Sequence, residues 1–302
     1  MKNTKHLFIV DDYSLGYDLT RDSSYLLINE LKAQGAKVEI SHLHKLNVVD
    51  GEVYSGASKV SEFEFVWVRK DPPVDRAYFE HLQLLSLVEK KYPKIKFINS
   101  PTAVLELNEK LSIFNFPHLI PSTLLLTASS EDMTPVYEMM QATGFAVLKP
   151  LNSFAGGGVR KVAMDEFGEI RKIIAEVAES DENYCMVQEF IPEVSLGDTR
   201  IHIVNGKPIG ALLRVPPSDG FKGNIHAGGT AARGEITPEL EKVALEVGAW
   251  LVNRGVFFAG IDTIHGKLTE INVTSPGVII ESNETSGKEL HKVIIEELKK
   301  FK

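Results

Sequence analysis

Residues 257–277 read FFAGIDTIHGKLTEINVTSPG, and this segment is the hardest part of the chain to explain as scaffold alone. The run at 256–261 is apolar and aromatic-rich, as in a buried strand, and it leads directly to Asp262. A short glycine-containing turn at 265–267 is typical of a connection between antiparallel strands. Alternation across 268–273 predicts a second strand, so the segment predicts a hairpin with Asp262 near the end of its first strand.

The second strand of this hairpin presents oxygen ligands. Alternation puts Leu268, Glu270 and Asn272 on one face and the residues between them on the other. Glu270 and Asn272 then lie side by side, with Asp262 available from the partner strand. Two carboxylates and an amide carbonyl suit an Mg2+ ion that keeps some of its waters. A half-exposed hairpin with acids on its solvent face explains the same pattern, and the short motif alone does not decide between them.

Composition limits the class of protein. The chain has 302 residues, 43% hydrophobic and 25% charged, enough for a large core divided among two or three lobes. Its formal net charge of −8 disfavours nonspecific binding to nucleic acid or to anionic membranes. The one cysteine, Cys185, lies in an apolar segment and is interpreted as a buried, inert thiol. Without a disulfide, a signal peptide or a run of ~20 apolar residues, the chain is expected to be cytoplasmic.

The N-terminal region predicts a small parallel sheet. An apolar strand at 6–10, a helix at 23–34 and a strand at 38–40 form a βαβ unit. No G-x-G-x-x-G follows the first strand, which disfavours a Rossmann dinucleotide site. A further strand at 65–68 leads into RKDPPVD at 69–75. At the carboxyl end of a strand this loop suits a substrate rim, although its composition also fits a solvated turn.

The region that follows predicts a boundary and then a phosphate site. A helix is expected to include 108–111, and the proline-punctuated segment 116–121 predicts a domain boundary. A helix at 135–143 and a strand at 145–150 lead to NSFAGGGV at 152–159. Successive glycines expose backbone N–H groups, and Lys149 adds a positive charge, which favours phosphate binding. A glycine-rich hairpin turn remains the alternative.

The last third predicts a second hairpin and two helices. Strand 200–204 ends at the hairpin turn Asn205-Gly206. Arg200 on this strand and Arg214 on its partner are expected to face a common cleft. The glycine- and proline-rich residues 216–230 predict a long functional loop. Helices are expected at 238–254, with Thr237 as the N-cap, and at 289–300.

Several of these motifs resemble a known family. The apolar GID strand followed by EIN resembles the metal-binding end of ATP-grasp ligases. LTEINVTSPG, RKDPPVD at 69–75 and RDSS at 21–24 resemble bacterial glutathione synthetases specifically. The resemblance implies an α/β chain, α+β in its ATP-binding part, with an ATP-grasp fold behind an N-terminal parallel-sheet domain. The implied domains are 1–118, an N-terminal substrate domain; 119–195, a central lobe with the glycine-rich loop; and 196–302, a C-terminal lobe with the metal and substrate site.

The resemblance also implies a reaction and a set of site residues. ATP would phosphorylate γ-glutamylcysteine, glycine would attack the acyl phosphate, and glutathione, ADP and phosphate would result. Mg2+ (or Mn2+) would be the cofactor and ATP a co-substrate. The implied catalytic residues are Arg214, Lys222 and Arg200. The implied ATP-binding residues are Lys110, Lys149, Gly156, Gly157, Gly158, Gln188, Glu189, Phe190, Ile191 and Asp198. The implied metal ligands are Asp262, Glu270 and Asn272, and the implied substrate-binding residues are Arg200, Arg214, Asn272 and Ser275.

Two positions depart from the family pattern. Lys222 stands where the family usually has arginine, which keeps the charge but loses the bidentate fork. Thr230 stands where an arginine follows Gly-Gly, and Arg233 is a possible substitute. An ATP-grasp ligase with a different amino-acid or peptide substrate, or a catalytically silent ATP-binding regulator, is therefore the alternative. The expected partners are small molecules and further copies of the chain, as a homotetramer by family resemblance, with no nucleic acid or membrane.

Overall fold

The computed structural model describes residues 1–12, 18–153, 156–218 and 220–301. None of the helices in these ranges combines the length and apolar character that crossing a membrane requires. The N-terminal region contains, in chain order, β1 (Lys5–Val10), α1 (Ser23–Ala33), β2 (Lys37–Ser41), β3 (Leu46–Val49), β4 (Glu52–Ser55), β5 (Ser58–Lys59), β6 (Phe65–Arg69), α2 (Arg76–Lys91), β7 (Lys96–Ile98) and α3 (Pro101–Glu106).

The predicted parallel sheet is confirmed. Its strand order is β2-β1-β6-β7, and every neighbouring pair is parallel. Helix α1 begins after Asp22, whose carboxylate accepts hydrogen bonds from the backbone N–H groups of Ser24 and Tyr25. A small antiparallel sheet, β3-β4-β5, was not predicted from the sequence. The loop at 69–75 follows β6, so it lies at the carboxyl end of the parallel sheet as expected.

The expectation of a helix through 108–111 is wrong. Helix α3 ends at Glu106, and a 3-10 turn begins only at Leu111. The reason is Asn108, whose side-chain oxygen accepts hydrogen bonds from the backbone N–H groups of Lys110 and Leu111, both at 3.0 Å. Asparagine that binds its own backbone in this way competes with continuation of a helix. Lys110 therefore lies in a turn between the N-terminal sheet and the rest of the chain.

The central region is an antiparallel sheet covered by helices. The sheet has the order β10-β9-β11-β8, and α4 and α5 pack on one face through a core that includes Met140, Leu148 and Ile174. The other face of the sheet is left for a cleft. The elements are β8 (Thr123–Leu126), α4 (Thr134–Thr143), β9 (Phe145–Pro150), β10 (Arg160–Ala163), α5 (Ile170–Ala178) and β11 (Cys185–Glu189).

The C-terminal region is a second antiparallel sheet, in the order β14-β13-β12-β15-β16. The Asn205-Gly206 turn is confirmed, with both residues at positive φ (49° and 76°). Thr237 caps α6 as predicted. The elements are β12 (Asp198–Val204), β13 (Lys207–Val215), β14 (Thr230–Arg233), α6 (Pro238–Val252), β15 (Phe258–Ile264), β16 (Lys267–Asn272), α7 (Ile279–Ser286) and α8 (Leu290–Leu298).

The C-terminal helix packs against the N-terminal sheet. Leu290, Ile294 and Leu298 of α8 share one buried core with Phe8 of β1 and Leu27 of α1. The same core takes in residues of the C-terminal sheet, so the first and third regions are joined by apolar packing. The central sheet has its own core, and a cleft opens between it and the other two regions.

Candidate active site

The predicted hairpin is present, and its strands bring the proposed metal ligands together. Asp262 on β15 lies opposite Glu270 on β16, and Gly260 lies opposite Asn272. The predicted grouping of Leu268 with Glu270 and Asn272 is wrong. The register shifts by one residue after Asp262, and this β-bulge turns Leu268 into the core and Thr269 toward the cleft. Alternation alone cannot reveal an extra residue in a strand.

A buried cluster of four charges fills the floor of the cleft. Arg200 binds Asp262 through two nitrogens, one of them Nη2 at 2.8 Å from Oδ2. Arg214 Nη2 lies 3.0 Å from the same Oδ2, and Arg214 Nε donates to Asp198 at 2.5 Å. The pairs follow from strand register, because Arg200 lies opposite Asp262 and Asp198 lies opposite Arg214. Two cations and two anions thus neutralise one another out of water.

The two carboxylates of this cluster differ in pKa. Burial alone would raise the pKa of Asp262, but the guanidinium groups of Arg200 and Arg214 outweigh it and hold the pKa well below its usual value. Burial raises the pKa of Asp198, and the charge of Asp262 adds to this effect. Asp262 is therefore the firmly ionised member, and both arginines are already engaged before any anionic ligand arrives.

The phosphate-binding candidates lie across the cleft from this cluster. Lys149 donates to Gln188 Oε1 at 2.7 Å, and burial lowers the pKa of its ammonium group. Lys110 is buried; its Nζ donates to the carbonyl of Ser153 at 2.6 Å and lies 3.3 Å from Glu270 Oε1. Lys110 thus connects the start of the glycine-rich loop to the hairpin of β15 and β16.

The glycine-rich loop uses left-handed backbone at two positions. Gly156 has φ +75° and Gly158 has φ +67°, which fits the expected need for glycine. The carbonyl of Gly156 accepts a hydrogen bond of 2.9 Å from Lys222 Nζ, so this loop contacts the long loop at 216–230. Gly157 and Gly158 line a neighbouring open cleft instead of the cavity that holds Lys149. Residues 154 and 155 of the predicted loop, and residue 219 of the long loop, lie outside the described ranges.

Two adjoining cavities contain most of the predicted site residues. The first, of about 100 Å³, lies between the central and C-terminal sheets. The second, of about 330 Å³, reaches the N-terminal domain. The first is lined by Lys110, Lys149, Gly156, Gln188, Glu189, Phe190, Ile191, Asp198, Arg214, Lys222, Asp262 and Glu270. The second is lined by Arg200, Arg214, Glu270, Asn272 and Ser275, together with Arg69, Asp71 and the 21–24 segment.

Arg233 is separate from this arrangement. It lies exposed on the edge strand β14, opposite Leu212, and lines neither of the two cavities. Cys185 is buried as predicted, and burial raises the pKa of its thiol to about 12.

Sequence reasoning missed two side chains at the site. Glu109 accepts three hydrogen bonds from Val273 and Thr274 and lines the second cavity. Arg69 is buried and donates to the carbonyl of Pro276 at 2.9 Å. Arg69 lies in the predicted substrate-rim loop and Glu109 in the segment predicted to be helical, but the partners of both lie more than 150 residues away along the chain.

The donor set fits a divalent cation in part. Asn272 Nδ2 donates to Gly260 O at 3.2 Å and to Asp262 Oδ2 at 3.4 Å, so Oδ1 is the atom with which this side chain would bind a cation. Glu270 is partly exposed, and its ion pair with Lys110 is long. Both oxygens of Asp262 already accept from guanidinium groups. Glu270 and Asn272 therefore fit Mg2+ directly, and Asp262 fits once an arginine releases one of its oxygens.

Comparison with known structures gives the class of protein. The chain superposes on D-cycloserine synthetase with a TM-score of 0.67 at 14% identity, covering 97% of this chain and 99% of that one. It also superposes on D-alanine–D-alanine ligase from Bacillus anthracis complexed with ATP, with a TM-score of 0.64 at 14% identity and 97% and 96% coverage. At this identity the likeness concerns the fold, and the fold is that of ATP-grasp proteins, as predicted.

Sequence comparison gives the family. Residues 109–287 match the prokaryotic glutathione synthetase ATP-grasp domain, and residues 55–104 match the N-terminal domain of the same family. Glutathione synthetase of Prochlorococcus marinus subsp. pastoris is 32% identical over 97% of this chain and 98% of its own length. That of Agrobacterium fabrum is 30% identical, over 99% and 98%. The chain belongs to the prokaryotic glutathione synthetase family.

Proposed function

We propose that the protein joins γ-glutamylcysteine to glycine at the expense of ATP, giving glutathione, ADP and phosphate through an acyl phosphate. One observation carries this proposal. Lys110 and Lys149 lie on one side of the cleft, and the Arg200–Arg214 cluster and the oxygen-bearing side chains of the hairpin lie on the other. Such a cleft suits a nucleotide triphosphate on one side and an anionic acceptor on the other. Family membership supports this substrate pair.

ATP would occupy the first cavity. Lys110 and Lys149 would neutralise phosphate oxygens, the backbone of Gln188–Ile191 would hold the base, and Asp198 would bind the ribose; the lining of the cavity by these residues supports this assignment. The described cavity encloses about 100 Å³, below the range of roughly 300–1,000 Å³ typical of ligand pockets. The proposal therefore includes separation of the loops carrying Gly156 and Lys222 when ATP binds, which would break the hydrogen bond between them.

Glu270, Asn272 and, after rearrangement, Asp262 would hold Mg2+ or Mn2+. When bound, the metal neutralises phosphate charge and orients the transferred phosphoryl group. Because Lys110 contacts both Glu270 and the start of the glycine-rich loop, it ties the metal ligand to the loop over the phosphates. Arg214 and Lys222 would stabilise the acyl phosphate and the oxyanion that forms when the glycine amine attacks.

The acceptor would occupy the second cavity. Arg200 would orient the carboxylate that is activated, and Ser275 with Arg69, Asp71 and Pro72 would form the wall toward the N-terminal domain. No side-chain nucleophile is needed, because the acceptor carboxylate itself attacks ATP. Most of the rate then comes from positioning and charge neutralisation.

The domain organisation and assembly form part of the same proposal. Boundaries after residues 118 and 195 each fall between sheets, and α8 returns to pack on the N-terminal domain. A homotetramer in the reducing cytoplasm, where ATP is available, is the proposed working form. Light scattering after size-exclusion chromatography tests the assembly.

A ligation assay tests the function. The protein with MgATP and γ-glutamylcysteine should form glutathione with glycine, at a rate at least tenfold above that with other small amino acids. Other amino acids are included because Lys222, which stands where the family resemblance leads one to expect arginine, lacks the bidentate fork that could fix substrate choice. If ligation were as fast with a different acceptor or amine as with γ-glutamylcysteine and glycine, the proposed substrates would be wrong. ATP binding without any ligation would favour a regulatory protein instead.

A further inference from the structure

Three consecutive residues after α3 join the parts of the site. Asn108 Nδ2 donates to Leu151 O at 3.3 Å, and Lys110 Nζ donates to Ser153 O at 2.6 Å, so both hold the start of the glycine-rich loop. Glu109, between them, reaches in another direction. Its backbone carbonyl accepts from Ile271 N at 2.9 Å, inside the metal strand β16. This turn is therefore a junction between the phosphate loop and the metal hairpin.

The Glu109 side chain binds the chain just beyond the metal strand. Oε1 accepts from Val273 N at 2.8 Å, from Thr274 N at 3.0 Å and from Thr274 Oγ1 at 2.9 Å. One oxygen thus satisfies three donors on two consecutive residues. The three bonds tie the backbone of both residues to a single side chain.

The attachment is needed because the sheet ends there. Strand β16 stops at Asn272, and the chain from Val273 to the start of α7 is irregular. A second side chain, Asn99, donates to Val273 O at 2.7 Å, but Glu109 holds the N–H side of the same residue. The segment lies between the metal ligand Asn272 and the acceptor-wall residue Ser275. A shift of Val273 and Thr274 would move both.

We propose that Glu109 is a positioning residue for the metal and acceptor site: through three hydrogen bonds to Val273 and Thr274 it fixes the position of Asn272 and Ser275. This inference rests on the proposed function, because it takes Asn272 as a metal ligand. It adds a residue whose carboxylate acts through the backbone of Val273 and Thr274, in the way that outer partners orient the groups that bind a metal directly.

Two substitutions separate hydrogen-bond geometry from charge. Glu109→Gln keeps an acceptor oxygen at the same distance along the side chain but removes the charge. Glu109→Asp keeps the charge but withdraws the oxygen by one methylene group. If Glu109 acts by position, the glutamine variant is the milder of the two.

The test compares the metal affinity of the two variants with that of the wild type. Free Mn2+ is followed by electron paramagnetic resonance in the presence of the full-length protein and a non-hydrolysable ATP analogue, with the analogue alone as blank. Glu109→Asp should weaken Mn2+ binding by at least about tenfold, and Glu109→Gln by no more than about threefold. The Mg2+ concentration that gives half-maximal turnover should rise in the same order.

Glu89→Gln is the matched control. Glu89 also accepts from a backbone N–H and a threonine hydroxyl, both of Thr102, at 3.3 and 2.6 Å, but lines neither of the two cavities. It should change thermal stability at most, and leave Mn2+ affinity unchanged. A purely structural role for Glu109 would make its variants behave in the same way.

Wild-type Mn2+ affinity in folded Glu109→Asp would overturn the inference. If Glu109→Gln alone then bound Mn2+ weakly, the effect would be assigned to charge and not to position. Should Glu109→Asp fail to fold, Thr274→Val decides: it removes one of the three donors and should weaken Mn2+ binding about threefold. Unchanged Mn2+ affinity in Thr274→Val would also overturn the inference. Failure of the proposed function is a separate result, since it would appear as absent ligation by the wild-type protein.

Discussion

Replacement of Asp262 by asparagine should have two opposite effects. In the structure, the Asp262 carboxylate occupies the two guanidinium groups that are proposed to receive the acceptor. An incoming carboxylate must therefore displace Asp262 from Arg200 and Arg214. Asp262→Asn removes this internal competitor and a metal ligand at the same time. The variant should bind γ-glutamylcysteine more tightly while losing ligation.

The size of each effect follows from the contacts. Asp262 accepts two hydrogen bonds from Arg200 and one from Arg214, all of them charge-assisted and buried. Removing one partner of a buried ion pair costs about 3–5 kcal/mol, so the free energy of unfolding should fall by about 3 kcal/mol, since Asp198 still pairs with Arg214. Release of even one charge-assisted hydrogen bond, about 1.5–3 kcal/mol, makes the dipeptide bind at least about tenfold more tightly.

Isothermal titration with γ-glutamylcysteine, without nucleotide or metal, measures the affinity of each variant. Glu270→Gln is the control, because it removes a proposed metal ligand but leaves Arg200 and Arg214 paired with Asp262. It should lose turnover with unchanged dipeptide affinity. Dipeptide binding by folded Asp262→Asn that is equal to or weaker than wild type would refute the idea that Asp262 competes with the acceptor.

Three further predictions concern the loop, a histidine and the thiol. Gly156→Ala should lower turnover at least tenfold, because its Cβ would lie 2.7 Å from Asn224 Oδ1. The control is Gly144→Ala, at φ +77° with open space around it, which should cost only about 1 kcal/mol of stability. Equal losses of turnover in the two variants would contradict this prediction. Burial lowers the pKa of His6 to about 4, so as the pH falls the unfolded chain binds a proton at this histidine before the folded protein does. Between pH 7 and pH 5 the free energy of unfolding of the wild type, measured by urea titration, should therefore fall by about 2 kcal/mol more than that of His6→Asn. Parallel pH curves for the two proteins would disprove this. The Cys185 thiol, with a pKa raised to about 12, should react with iodoacetamide only after denaturation, and fast labelling of the native protein would show it to be accessible.

The local features that sequence predicted are those set by a few neighbouring residues. The hairpin at Asp262, the Asn205-Gly206 turn and the Thr237 cap each depend on turn or capping chemistry within several positions. The βαβ opening followed from apolar runs and a capped helix. Such features are readable because the residues that cause them are adjacent in the chain.

The missed features depend on pairing between distant segments. The β-bulge that turns Leu268 inward is fixed by the partner strand, not by the alternation of β16 itself. The mutual neutralisation of Arg200, Arg214 and Asp262 requires the register of three strands, β13, β12 and β15. Helix α7 went unpredicted because its sequence, IIESNETS, is short and polar, and it begins directly after Val278 in the left-handed region.

In the proposed reaction, ATP activates the cysteinyl carboxylate of γ-glutamylcysteine in the cleft between the lysines and the arginines. The most direct test labels that carboxylate with 18O and follows the isotope by mass spectrometry during ligation with glycine. One labelled oxygen should appear in the released phosphate for each glutathione formed. Phosphate without the label, alongside continued product formation, would contradict an acyl phosphate and the mechanism built on it.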